Sequence, residues 1–257
     1  MTVNWLTAFL DLAPASYDAG VGFWAALTDD DVSPSRGVEG EFATLLPSDG
    51  DAYLRVQRLG RGPDGLHLDL HVDDPRDAAE RAVGLGAREV ADLGYYVMAS
   101  PGGFTFCLVP GAGGERARPS VWPGGQVSAL DQVCVDVPAA RFDAECAFWA
   151  ALTGWELRGA GEHTEFRSLA RPPEQPLRIL LQELGADDPG DAVRGHLDWA
   201  CTDRPAETDR HAALGATVEE VREGWTVLVD PTGRRYCITD RDPGTGLLSA
   251  EPRRFGA

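Results

Sequence analysis

The sequence predicts an α+β fold of four βαβββ modules, arranged as two tandem pairs. Three observations carry this. The chain repeats itself in order, with FWAALT at 23–28 and 148–153, HLD at 67–69 and 196–198, LGA at 85–87 and 214–216, and Phe106-Cys107 matched by Tyr236-Cys237. The spacing between copies drifts only from 125 to 130 residues, as expected of a tandem duplication with small loop insertions. Within each copy, strand-like alternation gives way to helical spacing and then to further short strands.

The elements follow in order. The first module, about 5–60, opens with the strand WLTAFLDL, continues with a helix through Phe23, Trp24 and Leu27, and ends with EFATLL and AYLRVQRL. The second, about 65–110, begins with LHLDLHV, whose apolar and polar residues alternate with period two. Asp74-Pro75 then supplies an N-cap and a first-turn proline, RDAAERAVGL a helix, and Gly86 its stop. REVADL, YYVMAS and FTFCLV follow as strands. Residues 111–127, rich in Pro and Gly, read as a linker between a first domain at 1–110 and a second at 128–243. The third module, about 129–185, has the strand LDQVCVDV and a helix with Phe142, Cys146, Trp149 and Leu152 on one face. HTEFRSL and LRILLQEL complete it. The fourth, about 195–240, runs through HLDWACT, a helix near 205–214, ATVEEV, WTVLVD, the Asp230-Pro231-Thr232-Gly233 turn and RRYCITD. Residues 244–257 form a tail.

Composition narrows the function. The chain carries 41 acidic residues against 23 basic ones, a net charge of −18, and every basic residue is Arg. A nucleic-acid surface or an anionic membrane would want clustered cations, so neither is an expected partner. Schiff-base chemistry and a phosphate-loop lysine are excluded for want of a lysine. No apolar run approaches a membrane span, and the N-terminus lacks the basic start of a secretory signal. Five widely spaced cysteines without a CxxC pair fit reduced thiols in a cytoplasmic protein.

Alternation places His67, Asp69, His71 and Asp73 on one face of their strand and Leu66, Leu68, Leu70 and Val72 on the other, under the helix. A His–Asp pair either binds a polar ligand or satisfies itself and its neighbours. His196 and Asp198 recur at the matching place. Trp24 and Trp149 read as core. Trp155, Phe166 and Trp225, with Tyr95 and Tyr96 in the first half, are candidates for an aromatic wall, with plain packing as the alternative. His163 and His211 read as surface residues without a role.

The LDQVCVDV strand, the two HLD strands with their LGA helix ends, and the Asp230-Pro231-Thr232-Gly233 turn before YCI together resemble the vicinal oxygen chelate superfamily, which includes glyoxalase I, bleomycin-resistance proteins and extradiol dioxygenases. The resemblance runs from about Trp5 to Asp240. It implies that paired modules curl into two cupped mixed-sheet domains with a ligand inside each cup. Single-domain relatives pair as homodimers, so the chain is expected to make that pairing within itself, as a monomeric pseudo-dimer. Relatives that use a metal hold it with His, Gln and Glu on a few strands. Those positions fall here on Gln132, His196 and Cys237, and in the first half on Thr7, His67 and Cys107, while Gln57 and Gln182 take the place of a further ligand. Neither half keeps the carboxylate. The reading that follows is a small-molecule binding protein of the glyoxalase or bleomycin-resistance type without a metal, its ligand contacting His67, Asp69, His71, His196, Asp198 and the aromatic candidates. The alternative is a lyase, isomerase or dioxygenase with a divalent metal at Gln132 and His196. A third reading is a partner-binding or structural protein with a filled cup. Whether the chain is an enzyme stays open. The more polar first cup suits an organic ligand, the second cup a metal.

Overall fold

The computed structural model describes residues 1–160, 163–185, 188 and 190–248. Of the tail, residues 249–257 lie outside this range. The first module comprises β1 (Trp5–Leu12), α1 (Tyr17–Thr28), β2 (Asp31–Val32), β3 (Phe42–Leu46) and β4 (Leu54–Arg58). The second comprises β5 (Gly65–Val72), α2 (Pro75–Gly84), β6 (Arg88–Asp92), β7 (Tyr96–Ala99) and β8 (Thr105–Pro110). After a short β9 (Ser120–Val121), the third comprises β10 (Val127–Pro138), α3 (Phe142–Thr153), β11 (Leu157–Ala160), β12 (His163–Leu169) and β13 (Arg178–Leu184). The fourth comprises β14 (Arg194–Cys201), α4 (Arg204–Ala213), β15 (Thr217–Val221), β16 (Trp225–Val229) and β17 (Arg235–Thr239).

Each pair of modules makes one mixed sheet. The strand order β2-β3-β4-β1-β5-β8-β7-β6 in the first is repeated as β11-β12-β13-β10-β14-β17-β16-β15 in the second, with β9 added beside β10. In both sheets the two modules join through antiparallel first strands, β1 with β5 and β10 with β14, and each first strand pairs in parallel with the last strand of its own module. The fold is α+β, with four βαβββ modules in two cupped sheets.

Local chemistry explains the boundaries. The Asp74 carboxylate accepts the backbone N–H groups of Arg76 and Asp77, and Asp203 accepts that of Ala206, so α2 and α4 start where an Asp precedes a proline turn. Gly86 and Gly215, at φ 103° and 112°, close both helices in a backbone region that side chains avoid. Three strands are not legible in the sequence, among them β9, which lies within the segment read as a linker. β2 has two residues, both exposed, and β11 is an edge strand without alternation. His211 is a correction: it is fully buried on α4, where its Nε2 sits 3.0 Å from Glu207 Oε1 and its Nδ1 lies 3.1 Å from the Tyr236 hydroxyl.

The leucine face of β5 is buried as alternation requires. The repeated FWAALT helices pack reciprocally. Trp24 of α1 lies against Trp199 and Tyr236 of the second sheet, with ring centroids at 5.9 and 5.3 Å. Trp149 of α3 lies against Phe106 and Phe104 of the first, at 5.3 and 6.0 Å. One continuous apolar core therefore runs through both lobes. β5 and β14 touch back to back, and Gly195 permits it: a Cβ there would come within 2.9 Å of Phe104 and 3.0 Å of Leu66. Among the described residues no helix is long and apolar enough to cross a membrane.

Glu207 ties α4 to β10. It is fully buried and accepts from Ser128 at 2.6 Å, Arg210 at 2.7 Å and His211 at 3.0 Å. Burial alone would raise its pKa, but these hydrogen bonds outweigh it and hold the carboxyl down at about 2, against an ordinary 4.5. The folded value lies below the unfolded one, so this stabilisation is complete above about pH 4.5 and fades as the pH falls towards 2. Glu207→Gln is expected to lower stability at pH 7 by about 3 kcal/mol and to flatten the acid limb, as read from urea midpoints between pH 7 and 2.

Candidate functional site

The two cups start from the same plan. In the first, β1 turns Thr7, Phe9 and Asp11 inward, β5 His67, Asp69 and His71, and β8 Cys107. In the second, the register places Gln132, Cys134 and Asp136 of β10 opposite Asp198, His196 and Arg194 of β14, with Asp198 opposite Cys237 of β17. His67 Nδ1 donates to Asp11 at 2.8 Å, and His196 Nδ1 donates to Asp136 at 2.9 Å. The His–Asp pair, the second Asp and the Cys are thus the same in both lobes.

The first cup is filled. The Phe9 ring stacks on His67 at 4.6 Å and 10° between planes, the Arg55 guanidinium lies 5.7 Å above Phe9, and Thr7 is hydrogen-bonded to His71 Nε2 at 3.0 Å. Thr7, Phe9, His67, Asp69 and Cys107 are all buried. Burial and the nearby Arg55 push His71 down to about 4, so its ring is neutral at pH 7. Burial would also lower His67, but the Asp11 carboxylate outweighs it and the net shift is upward. Tyr95 is half-buried, with Cys107 and Asp69 in its electrostatic surroundings, and Tyr96 packs against the core. None of the three described cavities is lined by His67, Asp69 or His71.

The second cup is open. A cavity of about 350 Å³ is lined by Gln132, Cys134, His196, Asp198, Phe166 and Trp225, among others. Three replacements account for it. The register gives Cys134 the place of Phe9 and Leu180 that of Arg55, and Ala200 stands where the repeat has His71. Each removes a large side chain from the cup. Phe166 and Trp225 meet edge to face at 6.0 Å, and His163 joins them at 5.9 and 6.3 Å. His163 is exposed, as expected of a surface residue, and also borders the cavity. Trp155 is buried in the core and lines none of the described cavities.

The cup floor is polar. Gln132 donates its amide to Asp198 Oδ2, while Asp198 Oδ1 is buried without a hydrogen-bond partner, 3.3 Å from His196 Nε2. Gln132 reaches Asp198 because β10 bulges between Leu130 and Gln132. Leu130 faces the core beside Trp199, Asp131 is the extra residue, and Gln132 turns into the cup. Asp131 accepts two bonds from Arg241, at 2.6 and 3.3 Å. A larger cleft of about 830 Å³ between the lobes shares His196, Gln182, Trp225 and Cys237 with the cup.

The donor atoms of His196, Asp198 and Cys237 lie within 4.8 Å of one another, as do those of Cys134, Asp136 and His196, and of His67, Asp69 and Cys107. The first set, with the unmatched Asp198 oxygen, fits a divalent ion of mixed N, O and S preference, and Asp136 on Nδ1 would orient the imidazole. Asp198 supplies a carboxylate, from the strand beside the Cys237 position where the resemblance implies one. Alternation marks Asp198 for the cup but gives no sign that one of its oxygens faces His196 without a hydrogen bond.

The family model of the glyoxalase-like domain matches residues 8–109 and 132–239. The chain belongs to the glyoxalase-like domain family. Among solved structures the fold is similar to a mutant of 4-hydroxymandelate synthase from Streptomyces coelicolor, at TM-score 0.63 and 15% identity over 95% of both chains. It is similar to the Mn(II)-bound glyoxalase from Novosphingobium aromaticivorans, at TM-score 0.59 and 15% identity over 93% of this chain and 82% of the other. It also resembles homoprotocatechuate 2,3-dioxygenase from Arthrobacter globiformis, at TM-score 0.59 and 16% identity over 96% and 85%. The chain matches none of the curated proteins. At these identities the likeness is one of fold.

Filled and open cups differ in what truncation removes. Phe9→Ala is expected to cost about 3–4 kcal/mol, because it empties a packed site, and Phe166→Ala less than about 1.5 kcal/mol, because its ring already borders a void. Urea denaturation of the two variants reads the difference, and equal losses would contradict the contrast.

Proposed function

We propose that the protein binds a small organic molecule in the second cup and that binding there needs no metal. The observation that carries this is the replacement of Phe9, Arg55 and His71 by Cys134, Leu180 and Ala200 in otherwise matched sheets. The duplication keeps the His–Asp pair twice and opens the space above it once. A cavity of about 350 Å³ with aromatic walls and a few convergent polar groups suits a small ligand. The filled-cup reading describes the first lobe, whose role is to hold α3 and the lobe contact in place. We further infer a cytoplasmic monomer whose two domains, 1–110 and 128–243, pair within one chain through the 111–127 segment. The reciprocal tryptophan packing supports this pairing.

One observation favours a second reading, a metal-dependent lyase, isomerase or dioxygenase. Asp198 Oδ1 is unmatched beside His196 Nε2 and Cys237. A divalent ion held there would act as a Lewis acid on ligand oxygens. His196 and Asp198 would present it, and Phe166 and Trp225 would orient the ligand and exclude water.

Native mass spectrometry of protein from cell extract, with elemental analysis, tests both readings. A retained organic molecule without metal is expected, and Cys134→Phe, which restores the bulk of Phe9, is expected to abolish its retention while leaving the fold intact by circular dichroism. A retained ion lost in His196→Ala and kept in His67→Ala supports the metal reading. A wild-type protein that carries neither, and shows no thermal shift with any small organic acid, alcohol or amine, overturns both.

A further inference from the structure

The second cup holds two polar groups of opposite charge, each with a buried atom that has no hydrogen-bond partner. Arg178 opens β13, directly opposite Gln132, and lines the cavity. Its Nε is buried without a hydrogen-bond partner, and among the described residues no hydrogen bond or ion pair within 4.0 Å reaches its guanidinium. Asp131 lies in its electrostatic surroundings but gives its hydrogen bonds to Arg241. The other is Asp198, whose buried Oδ1 has no hydrogen-bond partner and faces His196 Nε2 at 3.3 Å. Gln132 lies between them across the sheet, and Leu180, Phe166, Leu247 and Leu248 give the cavity its apolar lining. The two leucines are 56% and 66% exposed, so a ligand that covers them also buries apolar surface. A half-buried arginine without an anion is costly in a chain of net charge −18, where acidic partners are plentiful.

We propose that the ligand of the second cup is an organic monocarboxylate on an apolar or aromatic body that also carries a hydroxyl or amine, with its carboxylate on Arg178 and its donor on Asp198. This rests on the reading of the second cup as a binding site. The guanidinium offers a planar fork of donors that matches a carboxylate. Asp198 Oδ1 accepts the hydroxyl or amine hydrogen. A single available arginine, with Asp131 and Asp198 close by, suits one negative charge better than the two of a phosphate monoester.

The probes are benzoate, the 2-, 3- and 4-hydroxybenzoates, benzamide and phenyl phosphate, titrated into the full chain with Trp225 as fluorescent reporter and calorimetry as a check. At least one hydroxybenzoate is expected to bind at least about tenfold more tightly than benzamide. Arg178→Met is expected to remove that preference, the hydroxybenzoate losing far more affinity than benzamide, and Arg178→Lys to restore part of it. Asp198→Asn is expected to bring the best hydroxybenzoate down to the affinity of benzoate. Benzamide binding as tightly as the carboxylates, phenyl phosphate binding more tightly than they do, or an Arg178→Met protein with full carboxylate affinity overturns this proposal and leaves the cup as a binding site. Failure of every probe, neutral and anionic, to bind where Cys134→Phe would block it overturns the binding reading as well. A folding defect in Arg178→Met is separated by thermal melting, and Arg178→Gln then serves as the neutral variant.

Discussion

The rest of the structure depends on two buried indole–carboxylate hydrogen bonds that cross or brace the lobe contact. Trp24 donates to Asp230 at 2.9 Å, from the first lobe's helix to the second lobe's turn. Trp149 donates to Glu145 at 2.9 Å, and the other oxygen of Glu145 accepts from Ser100 and from the backbone of Gly102 in the first lobe's turn. The two tryptophans are the same residue of the repeat, but the carboxylates are not. Ser100 stands where Asp230 stands in the other copy, and the missing acid is supplied from α3 instead. A lone buried carboxylate or indole would be costly, so the contact is specified by polar satisfaction as well as by area. Each cup is anchored from outside its own sheet, and the cups can diverge inside without loosening the pair.

That divergence explains why one plan gives a packed cup and an open one. Both lobes keep the His–Asp pair across their first strands, and the pair also links β1 to β5 and β10 to β14. In the first lobe Phe9, Arg55 and His71 close over it. In the second their replacements are smaller or apolar, and the same pair becomes a floor. The face with more polar residues, His67-Asp69-His71, is the one whose groups are used up by their neighbours.

Much of the fold was legible in the sequence, because duplication and alternation are written in residue order. The repeat fixed the module count, and period two told the leucine face of β5 from its histidine face. What alternation cannot encode is a bulge: Leu130 and Gln132 are two apart, and only the extra residue Asp131 puts them on opposite faces. It also cannot show long-range packing. His211 looked like a surface residue because α4 is short and charged, yet Glu207 and Tyr236 enclose it. The edge strands β2 and β11 carry no periodic signal: both residues of β2 and residues 157–159 of β11 are exposed. In the site, Asp198 and His196 were legible as a pair, but the openness of their cup was not. It is a difference between two copies, visible only once the register aligns Cys134 with Phe9.

The same comparison bears on where specificity resides. The His–Asp pair is common to an open and a filled cup, so it cannot by itself select a ligand. The groups that differ are those at the rim and wall of the second cup. Arg178 stands beside the 241–248 strap, which Arg241 pins to Asp131 and Arg116 holds through the carbonyls of Pro243 and Gly244. Gly246 lies on the Arg178 stem, with room for no Cβ: one would fall 2.9 Å from the Arg178 side chain and 3.0 Å from Asp131. The strap thus sets the position of an arginine that no carboxylate pairs within the cup. In this fold the shared pair supplies a rigid polar floor, and recognition is assigned to residues that the duplication left free to change.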